Sequence, residues 1–172
     1  FSLSYTIPAY LLAVGDVIRV SGQGIATNTN STDTLTVKVK IGSNAIYTSG
    51  AIDTVTNDIF VFRAEATIRT VGTGGTMVGS GLGFIGTQAA AAGAADIPGG
   101  GYGASASINT TTTNAVTVTA TWSVASTSNE AYLDQLNVEL VRANGVRPVF
   151  QADESVDNSA GTDEAFIDAV VI

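Results

Sequence analysis

The chain has 172 residues, only 13% of them charged, and a formal net charge of −8. It contains no histidine and no cysteine, which excludes Ser-His-Asp and Cys-His catalysis, Cys/His zinc sites and thiol redox chemistry. The acidic charge would repel a phosphate backbone, so no nucleic-acid partner is expected. A length of this order favours a single domain.

The first predicted strands come from an alternation of apolar and polar residues. Residues 1–7 have the period of a half-buried strand, and Pro8 ends it because proline cannot donate to a β-ladder. Residues 16–24 form the next strand, with Ile18 and Val20 on one face. The polar run that follows predicts a loop.

The clearest strand covers residues 33–41, where four apolar side chains face one way and threonines and lysines face the other. The four apolar residues are Leu35, Val37, Val39 and Ile41. Residues 42–44 predict a turn and residues 45–48 a short returning strand. This part of the chain is therefore predicted to be a β-hairpin.

The middle of the chain begins with a long predicted strand over residues 59–70. Its inward side chains are expected to be Phe60, Phe62, Ala64, Ala66 and Ile68. Residues 76–87 are rich in glycine and predict a weakly patterned strand. Residues 88–101 combine an alanine run with several glycines, which predicts a long loop or a short helix.

Three further strands are predicted over residues 102–108, 115–124 and 130–141. The inward residues of the second are expected to be Val116, Val118, Ala120, Trp122 and Val124. Those of the third are expected to be Tyr132, Leu136, Val138 and Leu140. Asp134 interrupts this last row, which favours a β-bulge that turns it to solvent over a buried functional acid.

These eight or nine strands predict an all-β fold, a two-sheet jelly-roll-like sandwich over residues 1–141. We expect helix in less than about a tenth of the chain, given its β-forming composition. The predicted core includes Leu35, Val37, Val39, Phe60, Phe62, Val118, Trp122, Val138 and Leu140. Residues 142–172 are predicted to form an acidic, extended C-terminal arm.

The arm is too poor in apolar residues to order itself over residues 151–161. Its last part is apolar, and the residues expected to dock on a partner are Phe166, Ile167, Val170, Val171 and Ile172. Such an end would favour aggregation if it stayed in water. We expect it to add to a neighbouring subunit or a larger assembly; the alternative is an edge strand of its own domain.

The candidate polar sites are weak. Asp16, Asp33, Asp53 and Asp58 lie at strand ends or turns, positions that a calcium site or a glycosidase uses. Aspartates at turns more often accept bonds from their own backbone, and that is the prediction here. Trp122 is predicted to be core and not a sugar-stacking platform. We therefore predict no catalytic, cofactor-binding or metal-binding residue.

One uncharged run, residues 70–95, is long enough to span a bilayer. Glycines and threonines leave too few large apolar residues in it for a membrane helix, so no membrane span is predicted.

Several segments resemble a group of virion proteins from tailed bacteriophages that carry a jelly-roll domain. The resemblance extends over roughly residues 3–141 and is carried by strand and turn patterns in residues 5–9, 12–19, 33–42, 120–123 and 133–140. It implies a capsid decoration (cement) protein, a head fibre or a tail-attached module. It also implies a homotrimer, since such proteins often trimerise.

The resulting expectation is a non-enzymatic structural protein on the exterior of a phage capsid, with the major capsid protein as its partner. The alternative is a carbohydrate- or receptor-binding module, for which Tyr10, Tyr47 and Tyr102 are the candidate exposed aromatic residues. A glycoside hydrolase is disfavoured because no pair of acids is evidently placed on facing strands. Self-association is also expected from the long stretch between Thr70 and Asn129, where Asp96 is the only charged residue.

Overall fold

The computed structural model describes residues 3–28, 32–55, 57–87, 95–96, 105–143 and 149–152. Every regular element in these ranges is a β-strand, so the all-β prediction is confirmed. None of the described residues belongs to a helix that is long and apolar enough to cross a membrane.

The described ranges contain twelve strands. They are β1 (Ser4–Ile7), β2 (Val17–Thr27), β3 (Thr34–Ile41), β4 (Asn44–Thr48), β5 (Ile52–Asp53), β6 (Asp58–Thr70), β7 (Gly75–Thr87), β8 (Ala95–Asp96), β9 (Ser105–Ile108), β10 (Asn114–Trp122), β11 (Glu130–Val141) and β12 (Val149–Ala152). The periodicity of the sequence predicts fewer strands, because β5 and β8 have two residues each, too few to alternate, and because β12 lies within the predicted arm.

The strands form two antiparallel sheets that pack as a sandwich. One sheet has the order β1-β10-β3-β4, with β5 also paired to β3. The other has the order β12-β11-β2-β6-β7-β8, with β9 also paired to β7. Both β1 and β2 pair with strands from the far end of the domain, so the sheets close only when distant parts of the sequence meet.

The core between the sheets contains almost all of the residues predicted for it. Every member except Trp122 is at least 96% buried: Leu35, Val37, Val39, Phe60, Phe62, Val118, Val138 and Leu140. Trp122 is the last residue of β10, at the edge of the sandwich, where it is half-buried against the core. Strict alternation along long strands is what made this core predictable.

Two residues predicted to point inward do not. Val124 is 50% exposed because β10 ends at Trp122, before it. Tyr132 is 38% exposed because the register of β11 against β2 shifts between Leu133 and Gln135. The extra residue at this bulge is Asp134, which is exposed as predicted. The bulge inverts the parity, so that Leu133 is buried before it and Leu136 after it.

Glycines in the seven-stranded sheet create space for bulky neighbours. Gly22 and Gly24 of β2 lie directly opposite Phe62 and Phe60 of β6, whose rings fill the positions that Cβ atoms would take. A Cβ on Gly22 would lie 2.5 Å from the Phe62 ring and 2.5 Å from the Gln135 carbonyl oxygen. Alanine at these positions would therefore displace backbone as well as side chains.

Glycines also allow the two sheets to approach each other closely at β7. Cβ atoms on Gly79 and Gly81 would meet Ile46 and Tyr47 of β4 at 2.8 Å and 2.7 Å. The inner row of β7 is thus partly glycine because β4 of the other sheet packs directly on its backbone. The larger side chains of this part of β7, those of Leu82 and Phe84, therefore lie on the outer face.

The predicted hairpin is confirmed as β3 and β4. Ile41 pairs with Asn44 across the two-residue turn Gly42-Ser43, and Gly42 has a φ of 60°. A two-residue hairpin turn requires a positive φ at its first central residue, and glycine adopts that conformation readily.

Candidate functional site

Three of the four candidate aspartates have structural partners. Asp16 is 1% exposed; its Oδ2 accepts hydrogen bonds from the Ala13 amide at 2.9 Å and from Arg142 Nη1 at 2.7 Å. The Ala143 amide donates to its other oxygen at 3.2 Å. Arg142 Nη1 also donates to the carbonyl of Leu11 at 2.6 Å. Asp16 therefore locks the loop before β2 to the end of β11.

Asp33 and Asp58 hold turns at the opposite end of β2. The Asn129 side chain donates to Asp33 Oδ2 at 2.9 Å. The Val55 amide donates to Asp58 Oδ2 at 2.8 Å, the local bond predicted for a turn aspartate. Burial raises the pKa of Asp58, opposed by that amide bond and reinforced by the nearby charge of Asp53. Within the described ranges, no three acidic residues are grouped so that they could hold a metal ion.

The aromatic candidates have different outcomes. Tyr10 is 79% exposed, whereas Tyr47 is 2% exposed and was wrongly considered for a surface role. Its hydroxyl has no hydrogen-bond partner among the described residues, and burial raises its pKa to about 12. Tyr102 lies outside the described residues.

Among the described residues, the outer face of the seven-stranded sheet carries six apolar side chains in register, three of them exposed and three half-buried. We call this set the outer platform; it consists of Ile25, Ile59, Val61, Leu82, Phe84 and Tyr132. Tyr132 lies opposite Ile25, which lies opposite Ile59, while Val61 lies opposite Phe84. Leu82 is 66% exposed and Phe84 41% exposed.

A charged row crosses the same face beside the outer platform. Arg19 lies opposite both Glu139 and Glu65, with its guanidinium 3.6 Å and 3.0 Å from their carboxylates. Arg63, next to Leu82 in the register, lies 3.4 Å from Glu65. These pairs are partly exposed, so they stabilise the fold little but fix where positive and negative charges stand beside the apolar surface.

Most of the outer platform was missed from the sequence. Tyr132 was assigned to the wrong face because parity was carried across the bulge at Asp134. Leu82 and Phe84 were missed because residues 76–87 are rich in glycine and weakly patterned, so the sequence analysis assigns them to neither face. Gly79, Gly81 and Gly83 at alternate positions of β7 are the signal that could have revealed the outer platform. A row without side chains allows the other sheet to pack closely on that face, so Leu82 and Phe84 between the glycines must lie on the opposite face.

The predicted docking residues of the arm, Phe166, Ile167, Val170, Val171 and Ile172, lie outside the described residues. The described part of the arm, β12, pairs with β11 at one edge of the seven-stranded sheet, with Glu139 opposite Val149. Comparison of the chain with family models, curated proteins and solved structures finds no match.

Proposed function

We propose that this protein is a non-enzymatic structural protein that decorates the exterior of a tailed-phage capsid, binding the major capsid protein through its outer platform. The observation that carries the proposal is the contiguous, exposed apolar surface formed by Leu82, Phe84 and Tyr132 with their half-buried neighbours. Contiguous apolar patches of this kind mark interaction sites on proteins. The virion assignment is supported by the strand and turn patterns of residues 3–141.

The composition of this face favours a protein partner. Aromatic residues and arginine are enriched at protein interfaces, and a polar rim commonly surrounds the apolar centre. Here Arg19, Arg63, Glu65 and Glu139 supply such a rim on one side. A flat sheet face can present several hundred Å² to each partner, the range that a stable interface needs.

The wider proposal includes a homotrimer and no nucleic-acid partner. The net charge of −8 disfavours binding to phosphates. Three copies would place three outer platforms on one lattice, and multivalent attachment strengthens weak single contacts.

The identity of the assembly is tested by quantitative mass spectrometry of phage particles purified from the source of this sequence. We expect the chain in a fixed ratio to the major capsid protein, and particles depleted of it to lose resistance to heat. Its absence from purified particles would contradict the proposal.

A second candidate function is carbohydrate binding on the same face. The observation that favours it is the exposed ring of Tyr132 beside the side chains of Gln23 and Gln135, which lie opposite one another in the next row. Aromatic rings with neighbouring amides can stack on and hydrogen-bond to sugars. Saturable binding to a glycan that is lost in Tyr132→Ala, with no binding to particles, would favour this function over capsid decoration.

A further inference from the structure

The outer platform begins on β11, the strand that pairs with β12, the last described strand of the chain. β12 forms one edge of the seven-stranded sheet, and its last residue, Ala152, lies opposite Leu136 of β11. Because the two strands are antiparallel, the chain leaves β12 in the direction of Tyr132, which belongs to the outer platform. Leu136 and Tyr132 are four residues apart, about 13 Å along a strand. The C-terminal arm therefore leaves the sheet at the edge of the outer platform.

The chain beyond β12 is long enough to cross the outer platform. Residues 153–165 separate β12 from the apolar end of the arm, residues 166–172. Leu82 lies on β7, four strand intervals from β12, which is about 19 Å at the usual spacing of strands. Thirteen extended residues span up to roughly 43 Å. Residues 166–172 can therefore reach every side chain of the outer platform.

The outer platform and the end of the arm are both apolar, and each can cover the other. On the platform, Leu82 is 66% exposed and Phe84 41% exposed. All residues of the end of the arm except Asp168 are apolar: Phe166, Ile167, Ala169, Val170, Val171 and Ile172. Contact between the two removes apolar surface of both from water, which is favourable in proportion to the area covered.

One charged side chain beside the outer platform suits the acidic residues of the arm. Arg63 lies opposite Leu82, and its side chain is 59% exposed. It contacts Glu65 at 3.4 Å, but a guanidinium has five N–H donors and can bind a second carboxylate. Asp163 and Glu164 directly precede the apolar end of the arm. An acidic segment that continues into apolar residues therefore matches this face in charge as well as in polarity.

Covalent connection favours the arm of the same chain over a separate molecule of equal chemistry. A short linker holds the segment that it carries at a millimolar effective concentration near its attachment point. A second copy of the chain at micromolar concentration supplies the same segment at a concentration roughly a thousandfold lower. Length, direction and connection thus all favour an intramolecular contact.

We propose that residues 166–172 cover the outer platform of their own chain and that a capsid must displace them in order to bind. The contact itself is a property of the isolated chain. Its displacement by a capsid rests on the proposed function, and it makes the arm a regulator of that site. Displacement also releases the apolar end of the arm, which can then dock on a partner as the sequence predicts.

The contact is tested by paramagnetic NMR of the full-length chain without capsids. The chain contains no cysteine, so Thr162→Cys accepts a single nitroxide label just before the apolar end. We expect the label to broaden the methyl signals of Ile59 and Leu82 on the outer platform. The signals of Val14 and Val71, which lie before β2 and after β6 at the opposite end of the sandwich, should stay sharp.

The double variant Phe166→Ser, Val170→Ser removes apolar side chains from the arm and is expected to abolish the broadening. Asn158→Ser, in the polar part of the arm, is the matched control and should retain it. Sharp platform signals in the labelled chain, or broadening that survives the double variant, overturn the proposal. In a mixed sample, with the nitroxide and the isotope label on different molecules, we expect no broadening. Broadening there would identify a second copy as the occupant and also overturn the proposal.

Displacement is tested separately, by cosedimentation with capsids. The double variant Phe166→Ser, Val170→Ser is expected to bind severalfold more tightly than wild type, because no occupant has to leave the outer platform first. Equal affinities would overturn displacement. Absence of binding by both proteins would contradict the proposed function and displacement with it, whereas the NMR experiment decides the contact in the isolated chain independently.

Discussion

At the scale of single residues, Asp16 is predicted to accept bonds from its own turn, but the structure also pairs it with Arg142, 126 residues later. The Asp16 side chain is 2% exposed and the Arg142 side chain 20%. Removing one partner from a buried pair leaves the other charge without compensation. The sequence indicates a turn at Asp16, but nothing in it indicates that the partner lies at the far end of the chain.

We predict that Asp16→Ala lowers the free energy of unfolding by about 3–5 kcal/mol, the range for a broken buried pair. Arg63→Ala is the control, because Arg63 takes part in an exposed pair with Glu65 and exposed pairs contribute at most about 1 kcal/mol. Urea denaturation measures both. Equal small losses in the two variants would show that the lock is not needed for the fold.

Tyr47 provides a second prediction at this scale. Its buried hydroxyl has no hydrogen-bond partner in the part of the chain that the structure describes, so Tyr47→Phe should raise the free energy of unfolding by roughly 1 kcal/mol at neutral pH. The ordinary pKa of 10.0 rises to about 12 in the folded chain. Between these values the unfolded chain releases the proton while the folded chain keeps it, so stability falls as pH rises from 10 to 12.

The pH dependence of Tyr47→Phe should therefore be flatter than that of wild type between pH 10 and 12. Thermal unfolding over this range measures the difference, and the other tyrosines affect both proteins alike. If the stabilities of the two proteins changed with pH in the same way, the account of Tyr47 as a buried hydroxyl with a raised pKa would be contradicted.

At the scale of elements, the glycine positions of β2 set how closely β6 and β11 can approach. We predict that Gly24→Ala costs about 1–3 kcal/mol of unfolding free energy, because the added methyl group overlaps the Phe60 ring and the Tyr132 carbonyl. Gly74→Ala is the control, since the space around Gly74 is open, and its effect should stay within about 0.5 kcal/mol. Guanidinium denaturation of both variants measures the difference.

Strands that alternate without interruption were predictable from the sequence, and their core residues were predicted with them. Leu35 to Ile41 is the clearest case, because one register shift would have turned all its apolar residues to solvent. Prediction failed where a β-bulge shifts the alternation of inward and outward residues by one position. The bulge at Asp134 was expected, yet Tyr132 was still assigned across it, since hydrophobicity alone does not show on which side the parity changes.

The outer platform was missed for a different reason. Leu82 and Phe84 point outward because the glycines between them are needed inside, against Ile46 and Tyr47 of the other sheet. That requirement comes from a contact between strands distant in sequence. The alternate glycines of β7 indicate close packing on their face, but the sequence does not show which strand packs there.

At the scale of the whole molecule, the domain presents the outer platform on an acidic body with a net charge of −8. The outer platform lies on a sheet face beside a charged row, which suits a partner of different composition. The proposed attachment to a capsid rests on this face.

We propose that the outer platform attaches the protein to a capsid. The most direct measurement is cosedimentation of the purified chain with capsids that lack it, comparing wild type with the double variant Leu82→Ser, Phe84→Ser. Val124→Ser is the control, an exposed valine in the connection after β10. We predict saturable binding by wild type and the control, and at least a tenfold loss of affinity, about 1.4 kcal/mol, in the double variant. Binding of the double variant equal to that of wild type, or no binding by wild type, would contradict the claim.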